Sequence, residues 1–504
     1  MTFRKRAPRG PRILGAIAIL SLFMVAGRAF ADWRASTITG VVLNEYTQAP
    51  VAGALLEWEN SETRTDRKGE FTLSGVDKTL TDRPLRISGD DYAPQALPPN
   101  QDRVVVHLRP DVVAGKVVDD GGSPLAGVLV TAGGGITTQT GQDGQFRLKG
   151  VPRDPAVRVV APGYRVVTLP QGTDHWADVQ LQKMVVRGLY ITFGANTLPS
   201  FRNQLVDKAK AAGLNAIMLD IKNDHGQVPA EIGAQESVLI GASTELPESL
   251  KSTIDKLKDM GLYVIARLVV FKDNLYAGGY PELAVQTRRG PYIDCEGQRW
   301  LDPLNEQSWE YNLELAENAA RLGFDEIHFD YIRFPSDCIF EQLVYNREAT
   351  PENQQQAIEG FLERASARVH ALGAVTSAAV FGLTTTEEDI GIGQNITRIG
   401  RHVDYISPMV YPSTWRDGAF NSPYPAAEPY RIVLLSVRRA VQRLKDLPVQ
   451  VRPWLQAFHD YNRQGIPYNW PEIEQQIKAN QDAGGIGWLL WNPAGRYALD
   501  GPLP

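Results

Sequence analysis

The chain has 504 residues, 43% of them hydrophobic, two cysteines and a formal net charge of -6 at pH 7. That length supplies several cores, the acidic balance excludes a nucleic-acid partner held by a basic surface, and two cysteines exclude a disulfide-dense scaffold.

Residues 1–31 have the layout of a secretory signal. Arg4, Lys5, Arg6, Arg9 and Arg12 form a basic start, an apolar stretch covers 13–27, and Ala29, Phe30 and Ala31 make a small-x-small cleavage site. The stretch is shorter than the ~20 residues of a spanning helix, so export to the periplasm or exterior is expected. Envelope or membrane association through an uncleaved segment is the other reading. Removing the signal's six basic residues from 52 leaves 46 against 58 acidic, a balance of -12.

Residues 32–110 and 111–184 repeat one another. Gly40 and Gly115 stand 75 positions apart, as do Gly69 and Gly144, Phe71 and Phe146, and Gly75 and Gly150. Each copy opens on a β-rich run, passes a Pro and Gly turn and ends in a Gly-x-Phe turn and strand, which describes a compact all-β module. The glycine run 133–135 reads as a loop, since no helix start or phosphate-binding lysine follows it. In the runs GxV, PLAG and DGxF the modules resemble the carboxypeptidase regulatory-like family, which implies two small transthyretin-like β-sandwiches.

From residue 185 to 504 the texture changes. Apolar strand candidates begin at Gly188, Asn215, Tyr263, Glu326, Ala374, Tyr405, Val451 and Gly485, with helical patterns over 200–212, 250–260, 306–322, 351–372, 429–445 and 471–483. Eight strands in this length predict one (β/α)8 TIM barrel. A doubly wound sheet is the alternative, but no Gly-rich first turn supports it.

Barrel enzymes carry their reactive groups at the carboxyl ends of strands. The second strand ends in Asp220, Lys222 and Asp224 at alternating positions, followed by His225. Alternation places the three on one side, facing the mouth, whereas a solvated turn is the plain reading. Arg267 interrupts the third strand, and a buried cation needs a partner, so an ion pair with Asp220 or Asp330 is expected, either structural or tuning the acid. In the fourth strand, FDEIHFDYIRFP over 324–335, Glu326, His328 and Asp330 share one parity and Ile327, Phe329 and Tyr331 the other.

Asp330 is the leading catalytic candidate, because it ends the polar face of the fourth strand and is followed by Tyr331 and Arg333, and glycosidases of this architecture use two carboxyl groups. Its partner acid is sought among Asp220, Asp224 and Glu388, the last in the loop after the fifth strand. A buried pair with Arg267 or Arg333 is the structural alternative. Lys222, His225, Arg267, Tyr331 and Arg333 are candidate substrate-binding groups, and Tyr411, Trp415 and Trp491 follow strand ends where an aromatic face stacks on a sugar ring. Tyr276 and Tyr280 occupy a similar place after the third strand. Cys295 and Cys338, in loops after neighbouring strands, are expected to form a disulfide in an oxidising compartment, with free thiols the other reading. No cofactor is expected, and the spacing of the two cysteines does not suit a metal.

Three runs carry a family resemblance: DIKNDxGxV over 220–228, FDEIxxDYIRFP over 324–335 and SPMVYP over 407–412. Across about 310 residues the chain resembles the glycosyl hydrolase-like family catalogued as domain of unknown function 4015. That resemblance implies a TIM-barrel glycoside hydrolase-like domain without a catalytic assignment to carry over. A looser likeness to family 18 chitinases fails at their DxxDxDxE strand end. Here Asp325, His328 and Asp330 are followed by Tyr331, Ile332 and Arg333, and no glutamate stands in that place.

The expectation is an exported enzyme that hydrolyses a polysaccharide by two-carboxylate chemistry. One rival is a non-catalytic carbohydrate-binding or envelope protein on a degenerate barrel. Another is a metal-dependent deacetylase using Asp220, Asp224 and His225, against which the seven histidines show no His-x-x-x-His spacing.

Overall fold

The computed structural model describes residues 36–77, 80, 82–153, 156–169, 176–339, 341–460 and 465–499. The expected signal, 1–31, lies outside the described residues. The chain divides into two compact units, the first holding the described residues up to Gly115 with 147–153 and 176–177, and the second the remainder.

In the first unit, Ser36–Asn44 lies between Glu70–Val76 and Arg103–Leu108 in one sheet, and Ser61–Arg64, Leu55–Trp58, Leu85–Gly89 and Tyr92–Leu97 form another in that order. Alternate residues of these strands, among them Val42, Leu56, Leu73, Ile87 and Leu108, meet in one apolar core. This is the packing that period-two sequences impose on small all-β modules.

The second unit contains a closed parallel barrel. Its strands are β1 (Arg187–Ile191), β2 (Ala216–Lys222), β3 (Tyr263–Val269), β4 (Glu326–Asp330), β5 (Val375–Phe381), β6 (Tyr405–Met409), β7 (Gln450–Val451 and Trp454–Gln456) and β8 (Trp488–Trp491). Each pairs with the next, and β1 pairs with β8 through Gly188 and Leu489, which closes the ring. Gly188 permits that closure, because a Cβ there would stand 2.6 Å from the Leu489 side chain. Strand β7 is broken at Arg452 and Pro453, where proline removes a ladder donor.

Around the barrel run α1 (Pro199–Ala211), α2 (Leu250–Asp259), α3 (Gln307–Leu322), α4 (Pro351–His370), α5 (Ile396–Ile399), α6 (Pro429–Leu444) and α7 (Trp470–Asp482). All six predicted helices are present. Between β5 and β6 stand only a short turn, Gly382–Thr385, and α5, a single helical turn. Outward residues such as Ile217, Leu219, Val264, Leu268, Ile327 and Phe329 pack beneath the helices, while Tyr190, Met218, Ile265, Trp454 and Leu489 belong to the inner cluster. Among the described residues no helix is long and apolar enough to cross a membrane.

Candidate active site

Strand β4 turns Glu326, His328 and Asp330 into the barrel, as their shared parity requires, and they occupy three levels. At the floor, Glu326 receives Arg452, with Nη1 donating to Oε2 at 2.9 Å and Nη2 to Oε1. Ser377 Oγ also donates to Glu326. Above it, Trp454 Nε1 donates to His328 Nε2 at 3.1 Å, so the imidazole proton sits on Nδ1 and reaches Ser377 Oγ at 2.6 Å. Burial, and then the charges of Arg452 and Arg267, push the His328 pKa well below its ordinary value, so the ring is neutral.

At the top, Arg267 bridges two carboxylates. Nε donates to Asp330 Oδ2 at 2.8 Å and Nη1 to Asp220 Oδ1 at 2.8 Å, and Nη2 lies 2.7 Å from Asp330 Oδ2. The guanidinium lies 4.9 Å from the centre of the Trp491 ring and 5.3 Å from that of Tyr190, and these two rings stack at 4.3 Å. Asp220 Oδ2 accepts from Tyr190 Oη at 2.7 Å and from the Phe193 amide at 3.0 Å. Burial raises the Asp220 carboxyl pKa, against the pull of Arg267, Tyr190 and Phe193. Burial lowers that of Arg267, but Asp330 and Asp220 outweigh it and leave it well above the ordinary value.

Both Asp330 oxygens are also hydrogen-bonded, Oδ2 by Arg267 and Oδ1 by the Tyr331 amide at 2.7 Å, but Asp330 differs from Asp220 in bordering open space. It lines a cavity of 340 Å³ with Arg267, Tyr331, Arg333, Tyr411, Trp415 and Trp491 among its walls. Asp330 is the one carboxylate of the described residues lining that cavity. Burial and then the nearby Asp330 charge raise the Tyr411 hydroxyl well above its usual range. Tyr331 shares parity with outward Phe329, yet its φ of 50° ends the strand and turns the ring over the cavity. A β-region conformation would send it toward the helices, so this strained residue shapes the site. A larger cavity of 650 Å³, lined by Arg158, Arg165, Lys258 and others, contains none of the candidate residues.

Several expectations need correction. Lys222 does not face the mouth: Asp220 pairs with Arg267, but the next ladder pair is Lys222 with Leu268, so the register slips at Ile221 and Lys222 takes the outer face of Leu268. There it is fully buried, 2.6 Å from Asp273 Oδ2, and donates to Asn312 Oδ1 of α3 at 2.6 Å and to Val270 O at 3.1 Å. The same slip removes Asp224 and His225 from the mouth. Asn223 Oδ1 accepts from the amides of His225 at 3.2 Å and Gln227 at 2.9 Å, which curls the turn, leaving His225 exposed and Asp224 half-buried. Gly226, at φ 93°, is required because a Cβ would lie 2.2 Å from Asp273 Oδ1. The run from Asp220 to Val228 is therefore a positioning device, and the trio proposed for a metal is dispersed. Glu388 lies exposed beyond the Gly382–Thr385 turn and does not line the cavity. Tyr276 stacks on Tyr311 of α3 at 4.1 Å and not at the cavity, and Tyr280 packs beside it.

Cys295 and Cys338 are bonded, with Cα atoms 5.6 Å apart, joining the loop after β3 to that after β4. No group of three or more His, Cys, Asp or Glu among the described residues is placed to hold a metal ion. Tyr190, Arg452 and Trp454 escaped the sequence reading. The signal for Arg452 is the one that exposed Arg267, a lone cation inside an apolar strand, and Tyr190 shares the inward parity of Gly188.

A family model described as "Putative glycosyl hydrolase domain" matches residues 188–497, and one for a carboxypeptidase regulatory-like domain matches residues 112–182. No protein of curated function matches. Among solved structures, a hypothetical protein from Ruminiclostridium thermocellum is 36% identical, covering 38% of this chain and 96% of its own, with a TM-score of 0.33. The PgaB (BpsB) glycoside hydrolase domain from Bordetella bronchiseptica is 15% identical over 62% of this chain and 95% of its own, at 0.46. The alpha-galactosidase TtGalA from Thermus thermophilus is 13% identical over 73% and 70%, at 0.40.

Proposed function

The chain belongs to the "Putative glycosyl hydrolase domain" family, and on that premise we propose that it hydrolyses a polysaccharide at the mouth of the barrel with Asp330 as the reactive carboxylate. The observation that carries this reading is that Asp330, alone among the described residues, brings a carboxylate to an aromatic-walled cavity, where it is paired with Arg267. A glycosidic bond breaks through an oxocarbenium-like centre, and an ionised carboxylate facing that centre stabilises or captures it. Tyr331, Tyr411, Trp415 and Trp491 offer faces for the sugar ring.

Asp220 is a positioning residue in this scheme. Its oxygens are taken by Arg267, Tyr190 and Phe193 and it does not line the cavity, so it fixes Arg267 and does not meet the leaving group. The leaving oxygen takes its proton from water or from the substrate. Residues 1–31 favour action outside the cytoplasm. The test is to assay the purified protein and its Asp330→Asn variant on a panel of bacterial polysaccharides for new reducing ends. Release by the wild type and a loss of about 10³-fold in the variant are expected; a variant as active as wild type would remove Asp330 from the chemistry.

A second reading is favoured by one observation, the absence of a second carboxylate among the described residues that line the cavity. It makes the barrel a glycan-binding module. Glycan binding that Trp415→Ala and Trp491→Ala weaken, in a wild type that releases no reducing ends from any polymer, would establish it.

A further inference from the structure

Among the described residues, Arg267, Arg333 and Arg452 are buried in or at the mouth of the barrel, and they are not equally paired. Arg267 meets two carboxylates at 2.8 Å and Arg452 meets Glu326 at 2.9 Å. Arg333, which is 5% exposed and lines the cavity, has its only ion pair among the described residues with Asp337 Oδ2 at 3.5 Å, and that side chain is 64% exposed. Its Nη1 donates to Phe334 O at 2.9 Å and Ser336 Oγ at 3.1 Å, both neutral acceptors. Ring faces supply further attraction, with centres 4.7 Å away at Trp300, 5.0 Å at Phe381 and 5.3 Å at Tyr331.

These contacts orient the guanidinium without neutralising it. A cation so far from water is costly without a close counter-ion, and a distant, solvated carboxylate is a weak one. The unmet demand sits at the wall of the cavity, three positions from Asp330 on the same chain segment. A planar guanidinium fork matches a planar oxyanion, above all a carboxylate, through paired N–H donors. The three rings and the two neutral acceptors restrict the Arg333 side chain before any anion docks, so less side-chain freedom is lost on binding.

We propose that the sugar bound in this cavity is acidic, with its carboxylate, or an equivalent sulfate ester, paired to Arg333 while its ring lies between the aromatic walls and its scissile bond faces Asp330. This rests on the reading of the cavity as a glycan site. Arg333 is then the specificity-determining residue, and Asp330 the reactive one.

Calorimetric binding to the full chain tests this without relying on turnover. The probes are short oligosaccharides of glucuronate, galacturonate and mannuronate, each beside its carboxyl-reduced counterpart, together with a sulfated neutral oligosaccharide. At least one acidic probe is expected to bind wild type about tenfold tighter than its reduced match. That advantage should vanish in Arg333→Met and survive in part in Arg333→Lys. A sulfated probe that outcompetes the uronates assigns the oxyanion to a sulfate ester. The wild-type comparison needs no variant and stands even if Arg333→Met does not fold. Carboxyl-reduced probes binding as well as acidic ones, or an acidic preference that persists in Arg333→Met, overturn the acidic-sugar assignment and leave the glycan site in place. Failure to bind any of these oligosaccharides overturns both.

Discussion

Two acid–arginine pairs lie inside the same barrel, with both acids on β4 and four residues apart, yet they differ in charge balance and access. At the floor, one arginine meets one glutamate, and Glu326 and Arg452 are both fully buried. At the mouth, one arginine serves two aspartates, and one of them opens onto a cavity. A buried ion pair is thus poor evidence of chemistry by itself. What distinguishes the mouth is a carboxylate with an open side, where a positive centre developing in a bound sugar would be stabilised.

The comparison breaks most decisively at Asp330. Asp330→Asn is expected to lower kcat/KM by about 10³–10⁴, roughly 4–5.5 kcal/mol of barrier, with thermal stability much less affected. A collapse of stability with activity per folded molecule intact would make the mouth pair structural, like the floor. Next in size is Arg452→Met, which leaves Glu326 buried and uncompensated and should cost about 3–5 kcal/mol in denaturant unfolding. The kcat/KM of the folded fraction should not change.

A smaller effect belongs to His328, which lies between the two levels. Its native pKa is depressed, so below the unfolded value near 6.5 the unfolded chain binds the proton that the native chain refuses. Stability is therefore complete above that value and falls as pH drops below it, by up to about 1.4 kcal/mol per pH unit until the native pKa is reached. Comparing urea unfolding of wild type and His328→Gln between pH 7 and pH 5 isolates this slope; equal slopes would show that the ring does not carry it. The smallest effects are expected at Glu388→Gln and Asp224→Asn, where kcat/KM should stay within about twofold. A tenfold loss at either would restore that residue as the second acid.

Most of the barrel was legible because its strands are apolar runs and its helices carry caps and amphipathic spacing that local rules read well. Ser249 Oγ accepting from the Ser252 amide at the start of α2 is one such cap, and Gly323 at φ 113° after α3 is a matching stop. The inward parity of Asp330 was legible for the same reason. What escaped depends on single backbone events. The slip at Ile221 reversed the face of Lys222, and the positive φ at Tyr331 reversed that of its ring. Neither leaves a mark in hydrophobic periodicity. Three-dimensional pairing also escaped: Arg267 was expected to meet one aspartate and meets both, and the fully buried partner of Glu326 lies 126 residues away at Arg452.

The seam between Gly188 and Leu489 also bears on how the protein is made. Strand β1 leaves the ribosome about 300 residues before the strand that completes it. At ~5–20 residues per second the nascent barrel stays an open sheet for roughly 15–60 s, with unpaired edges on β1 and on the newest strand. Unpaired edges invite pairing with other chains. A ribosome that stalls before Trp488 would thus release a chain with its β1 edge open, and protection of that edge during translation is a demand set by strand order alone.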